Sequence, residues 1–237
     1  MALPQVVLPT YELEIPSNGK KIKYRPFVVK EEKLLLLALE TNDEKQIEEA
    51  VKTTLKGCIQ TRVKIENLAI FDLEYIFLQI RAVSVGEIVE MKVTCKDDNT
   101  TKVQYNLNLS EVNVIKPEGH SNKIMLSDDM GVIMKYPQWN DFIIGSVMGQ
   151  SPSAEGIVEI IAECVDQIFD GEDVYDSSTT SKKEFVQFVE NITNAQFEKI
   201  QEFFQSCPRL EHKFTVINPN TGEPSEFVLT GLSNFFG

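Results

Sequence analysis

Between residues 11 and 27 the chain alternates: Tyr11, Leu13 and Ile15 stand against Glu12 and Glu14, and Ile22 and Tyr24 resume the beat after PSNGK. Alternation of this kind buries one face of a strand. Asn18-Gly19, both tolerant of positive φ, predicts a hairpin turn between two strands. The period then lengthens. VVKEEKLLLLALETNDEKQIEEAVKTTLKGCI predicts one helix over about 30–40 and a second over about 43–58, the second capped by Thr41 or Asn42 and carrying Ile47, Val51, Leu55 and Cys58 on one face. FDLEYIFLQIRAVSVGE predicts a third helix, apolar on more than one side and therefore central to its domain, closed by Gly86.

Clean alternation returns in EIVEMKVTC and TKVQYNLNL, strands over about 88–95 and 101–109 around the polar turn 96–100. KPEGHSN, residues 116–122, is rich in turn formers and reads as a linker. Beyond it, KIMLSDDMGVIMKYP predicts a strand pair with Asp128, Asp129 and Gly131 in its turn, and GIVEIIAECVDQIFDG a helix stopped at Gly171. EDVYDSSTTSKK reads as a polar loop. Two helices follow over about 182–191, capped by Thr180 or Ser181, and 194–206, ended by Pro208. HKFTVIN and SEFVLT flank the turn NPNTGEP as the last strands. Strand–turn–strand units punctuated by amphipathic helices define an α+β chain whose small antiparallel sheets are packed against helices. The pattern change at 116–122 predicts two domains, 1–116 and 123–237, each built from hairpins and helices.

Composition narrows the function. The 237 residues include 42% apolar side chains and 14 Phe, enough to build a core. A formal charge of −13 opposes binding to nucleic acid, which needs a basic face, and to anionic lipid. It leaves open a partner with a basic surface. Four cysteines, Cys58, Cys95, Cys164 and Cys207, are far apart with no CxxC pair, so neither a zinc knuckle nor a disulfide framework is expected. MALPQVVLPTYELEIP has no basic n-region or long apolar core, so no secretory signal is expected. The longest apolar run, Leu34–Leu39, is far short of a membrane span. A soluble, intracellular protein is the expectation.

Catalytic chemistry is not signalled. His120 and His212 are the two histidines, and neither stands near a Ser or Cys in a hydrolase arrangement; GxSxG, HExxH and phosphate-cradling glycine loops are absent. SDDMG starts like a calcium loop, but Met130 and Val132 fall where oxygen ligands must continue. EDVYD and Glu48-Glu49 read as solvated carboxylates. No cofactor, metal or catalytic residue is expected. Trp139 and Phe142, in the poorly periodic YPQWNDFII, are either packed in a core or anchors for a partner.

YELEIPSNGKKIKYRPFVVKEEKLLLLALE, FDLEYIFLQIRAVSVGE, FVENITNAQFEKIQEFFQSCPRLEHKF and the closing LTGLSNFF form an ordered set spanning nearly the whole chain. Together they resemble the baseplate hub assembly proteins of T4-like tailed bacteriophages (myoviruses). The resemblance implies a non-enzymatic structural or assembly role in the contractile-tail baseplate hub, with other hub and tape-measure proteins as partners. It implies a location in the host cytoplasm during assembly, or in the virion tail. A transient chaperone-like adaptor that leaves before the particle matures is the alternative. Some relatives carry paired cysteines in the turns that here read CKDDNTT and NPNTGEP; here the first region has Cys95 alone and the second none. A metal-stapled turn is therefore not expected. At the other extreme of the sequence, Leu232, Phe235 and Phe236 share one face of a helical turn by their spacing. They either seal their own domain or plug into a neighbouring subunit.

Overall fold

The computed structural model describes residues 6–41, 43–138 and 154–231. Its described elements confirm the α+β class: six α-helices and several small antiparallel sheets. The chain forms two compact units. One comprises 1–65, 71–115 and 209–237; the other comprises 66–70 and 116–208.

The first unit begins with strands β1 (Tyr11–Glu14) and β2 (Lys21–Tyr24), paired so that Tyr11 faces Tyr24, their rings stacked at 5.7 Å. Of the Asn18-Gly19 pair only Gly19 takes positive φ, at 69°, so the turn is longer than a two-residue hairpin: Gly19 N donates to Ile15 O at 2.8 Å. Helices α1 (Val29–Thr41), α2 (Glu44–Cys58) and α3 (Ile70–Val85) follow. The cap of α2 is Asp43, whose carboxylate accepts from Lys45 N and Gln46 N, one residue after Asn42 and two after Thr41, the caps expected from sequence. Thr41 instead donates to Ala38 O at 2.6 Å and closes α1. As its all-round apolar pattern requires, α3 is buried along Phe71, Leu73, Ile76, Phe77, Leu78 and Ile80.

Strands β3 (Ile88–Thr94) and β4 (Lys102–Asn108) pair in register. Strand β5 (Asn113–Ile115) then pairs with β10 (Arg209–Ile217), which pairs with β11 (Pro224–Thr230). This explains why residues from 209 onward group with the first unit and not with 123–208, as the expected 1–116 and 123–237 division has it: β10 finds its sheet partner in β5. Leu78 and Ala82 of α3 pack with Val89, Leu107, Leu109 and Leu210. Phe214 and Val216 pack with Cys95 and the inner faces of β3 and β4.

The second unit holds a four-stranded antiparallel sheet in the order β6 (Lys123–Met125), β7 (Met130–Met134), β8 (Val165–Asp170), β9 (Asp173–Asp176). Three expectations are corrected here. The helix expected to run to Gly171 stops at Cys164: α4 is Ala154–Cys164, and β8 starts at the next residue. The polar loop expected at 172–183 contributes β9, which pairs with β8. Gly131 lies inside β7 and not in the turn; a Cβ there would collide with Ile124 O and the Phe169 ring. Helices α5 (Lys182–Asn191) and α6 (Asn194–Gln205) complete the unit. Ser181 opens α5, its N–H and hydroxyl both donating to Glu184 Oε2, and Thr193 with Gln196 forms a reciprocal capping box for α6. Val132, Met134, Ile161, Phe185, Ile200 and Phe203 form the centre of this unit's core.

Candidate functional site

The candidate site is an exposed apolar surface on α1 and α2. The segment before α1 is fixed by an ion pair. Arg25 Nη2 donates to Glu31 Oε1 at 2.9 Å while Glu31 Oε2 accepts from Val28 N at 2.9 Å, so one carboxylate both pairs with a cation and satisfies a free amide at the helix start. Burial works against the charged form of Glu31, but the hydrogen bonds from Arg25, Val28 N–H and Lys30 prevail and hold its pKa below the usual value.

Helix α1 that leaves this anchor buries only Glu31 and Ala38. Leu34, Leu36, Leu37 and Leu39 are exposed by 36, 56, 51 and 44%. Helix α2 is conventionally amphipathic by contrast: Ala50, Val51, Leu55 and Cys58 are buried. By helical spacing the exposed leucines of α1 lie on two stripes. Leu34 and Leu37 face α2 across a groove of about 650 Å³ with Ala38 and Ala50 in its lining and Glu40 and Glu49 beside them. Val29, Leu36 and Leu39 fall on the other side. A helix apolar all round is a buried helix, yet Leu36 and Leu39 of this one stay exposed among the described residues.

A second apolar groove, of about 230 Å³, lies between α4 and α6 and is lined by Ile157, Ile160, Ile161 and Phe204 with Gln201 and Gln205. The residues that sequence selected for partner binding, Trp139, Phe142, Leu232, Phe235 and Phe236, lie outside the described residues.

The histidines have structural settings. His212 Nε2 lies 3.0 Å from Tyr105 Oη, and Tyr105 stacks on Phe214 at 3.8 Å. His120 Nδ1 lies 2.9 Å from Ser206 Oγ, its ring packed in a three-ring cluster with Tyr136 and Phe203. Ser206 Oγ donates to Glu202 O at 2.7 Å, so its proton serves the end of α6. The acidic turn at Asp128 and Asp129 is closed by Ser127 Oγ accepting from Met130 N. Asp176 of EDVYD accepts from Ser178 N and Gln167 Nε2.

The turns CKDDNTT and NPNTGEP meet. Asn218 Nδ2 donates to Asp97 and Asp98, Thr221 Oγ1 donates to Asp97 Oδ2 at 2.6 Å, and Lys96 N donates to Ser225 Oγ at 3.0 Å. Hydrogen bonds from Thr221 and Asn218 depress the Asp97 pKa; those from Thr101 and Thr100 N–H depress that of Asp98 more strongly. The oxygens a cation would need are thus occupied by neighbouring donors. Among the described residues no group of three or more His, Cys, Asp or Glu is arranged to hold a metal ion, and this pair of turns does not fit one. All four cysteines are free thiols, and burial pushes those of Cys164 and Cys207 up to about 12, away from nucleophilic chemistry.

What the described residues define is a helix whose leucines, Leu34, Leu36, Leu37 and Leu39, are left exposed. The family model described as T4 bacteriophage base plate protein matches residues 8–237, and the chain belongs to that family. Membership implies a structural role in the phage tail baseplate and contacts with other baseplate proteins. No curated protein and no solved structure matches the chain. No helix among the described residues is long and apolar enough to cross a membrane.

Proposed function

We propose that this chain is a structural and assembly protein of the baseplate hub that works without catalysis, through contacts with hub and tape-measure proteins. The observation that carries this reading is α1, whose leucines are uncovered on both sides in a chain of a baseplate family. Exposed apolar area of that kind marks a protein-binding face. Its outer stripe, Val29, Leu36 and Leu39, is the docking face for a hub component. Trp139, Phe142, Leu232, Phe235 and Phe236 are further anchors in this reading, because large aromatic and aliphatic side chains supply most of the binding free energy at interface centres.

The test is Leu36→Asp with Leu39→Asp, read by circular dichroism and by co-purification with hub components from infected cells. Both side chains are exposed, so the fold should persist while co-purification is lost. A variant that still co-purifies would remove the outer stripe from the function. Phe235→Ala with Phe236→Ala, read the same way, tests the aromatic anchors. Mass spectrometry of purified particles separates a resident component from the alternative, a transient chaperone-like adaptor: the resident is present in fixed proportion in particles, the adaptor only in the lysate.

A further inference from the structure

The groove between α1 and α2 is polarised along its length. On α1 the residues at helical spacing on the groove side run Lys30, Lys33, Leu34, Leu37, Glu40 and Thr41. On α2, which returns antiparallel, the facing ridge runs Gln46, Glu49, Thr53 and Lys56. Both ridges therefore carry carboxylates at the loop end of the helical hairpin and lysines at its base, with leucines between. The loop end is strongly acidic: residues 40–49 hold Glu40, Asp43, Glu44, Glu48 and Glu49 against Lys45 alone. Several of these charges have local partners. Lys30 pairs with Glu31 at 3.3 Å and Lys52 with Glu49 at 3.3 Å, yet the Lys30 and Glu49 side chains stay 75 and 69% exposed. Glu31 and Lys52 are themselves only 6 and 15% exposed, so these pairs are partly buried, and a partner copy would add to them at the outward faces of Lys30 and Glu49.

A surface whose charge reverses from end to end is complementary to a copy of itself turned round. We propose that this groove pairs with the same groove of a second copy of this chain, the two α1–α2 hairpins packing antiparallel as a four-helix bundle. Twofold symmetry brings each acidic loop end to the partner copy's lysine base, and the Leu34 and Leu37 ridges meet over the small side chains of Ala38 and Ala50. Such an interface is isologous: every contact occurs twice. The groove stripe is thereby used by self-pairing and the Leu36 and Leu39 stripe stays outside it. The inference thus goes beyond the hub reading and does not depend on it.

Sedimentation of the purified full chain tests the proposal with no other baseplate protein present. A dimer that dissociates on dilution is expected, along with a monomer for Leu34→Asp with Leu37→Asp that keeps the parent's circular dichroism. A charge exchange separates pairing from mere stickiness. Glu40→Lys with Glu49→Lys, and separately Lys30→Glu with Lys33→Glu, each place like charges at both ends of the bundle and should weaken self-association by about 10-fold or more. Mixed together, the two variants should form a heterodimer of near-parent affinity, because both ends are again complementary. A chain that stays monomeric at about 100 µM, a dimer indifferent to the leucine changes, or variants that fail to recover on mixing would each overturn it. Uptake of a hub protein at this groove by a monomeric chain would overturn it too, while leaving the hub reading standing. Loss of hub co-purification in the Leu36→Asp, Leu39→Asp variant with dimerisation intact separates the two proposals from the other side.

Discussion

The side-chain amide of Asn218 donates to both carboxylate oxygens of Asp97, at 3.1 and 2.9 Å, across 121 residues of chain. Asn218 is fully buried. It also shapes its own turn, its Oδ1 accepting from Asn220 N at 2.9 Å. Asn218→Ala removes both functions and takes one donor from each of two carboxylates, which keep those from Thr221, Thr100 and Thr101. Hydrogen bonds to charged acceptors are among the stronger ones, so Tm should fall by about 3–6 °C. Calorimetry of the variant checks this, and an unchanged Tm would mean the turns meet without stabilising the fold.

Acid titration reads the turn CKDDNTT itself. Asp98 has a folded pKa below its unfolded value, set first by the hydrogen bonds from the Thr101 hydroxyl and the Thr100 N–H. A depressed carboxylate stabilises the fold fully above its unfolded pKa, near 3.9, and that contribution is lost as pH falls below it toward the folded value. Asp98→Asn should therefore be less stable than the parent at pH 7, with the gap closing below about pH 4. Denaturant midpoints at several pH values measure it. A gap that widens in acid has the wrong sign.

The Arg25–Glu31 pair, with side-chain exposures of 15 and 6%, gives a third test. Removing one partner from a buried pair leaves an uncompensated charge and costs about 3–5 kcal/mol. Arg25→Met should fall short of that figure, because Lys30 Nζ remains 3.3 Å from Glu31 Oε1. Adding Glu31→Gln should restore part of the loss, since Gln keeps an oxygen for Val28 N. A double-mutant cycle measures the coupling, and additive losses would show that the two groups act independently.

Gly131→Ala should be severe although its φ is unremarkable for a strand. The added methyl meets backbone on one side and the Phe169 ring on the other, and overpacking of this kind costs about 1–3 kcal/mol or more. Phe169→Leu in the same chain should relieve part of it. If Gly131→Ala alone is neutral by thermal melting, β7 and β8 are looser than described.

Thr54 offers the opposite sign. Its hydroxyl is buried in α2 with no hydrogen-bond partner, so the isosteric Thr54→Val removes a desolvated polar group at little packing cost. Stability should hold or rise by up to about 1 kcal/mol. A clear loss would reveal a partner for that hydroxyl.

Local chemistry made most helices legible. Thr193 with Gln196 and Ser181 with Glu184 mark the starts of α6 and α5, and the strict alternation of β3 and β4 allows one register. Where the period was ambiguous the reading failed. VDQIFD continues the apolar pattern of α4 without a break, so nothing local tells the strand β8 from another helical turn. DVYD is a strand because β8 offers it an edge, which is a tertiary fact. The pairing of β10 with β5 is likewise invisible to composition. The exposed leucine surface was half legible. KLLLLALE reads as a helix, but the exposure of Leu36 and Leu37 does not, because a run apolar on all sides implies burial and cannot say whether the covering comes from the same chain. The turn-to-turn contact at Asn218 escaped for a related reason: NPNTGEP and CKDDNTT are each complete turns by themselves.

The insertion of residues 116–208 between β5 and β10 has a consequence for synthesis on the ribosome. The second unit's main segment is continuous and can close as soon as it emerges, whereas β5 must wait until residues 209–217 are translated before its partner strand exists. The leucine face of α1 is on display throughout that delay. Within one polysome, nascent chains would thus meet with their hairpins exposed before their sheets are finished, and recognition could begin before either molecule has completed its own fold.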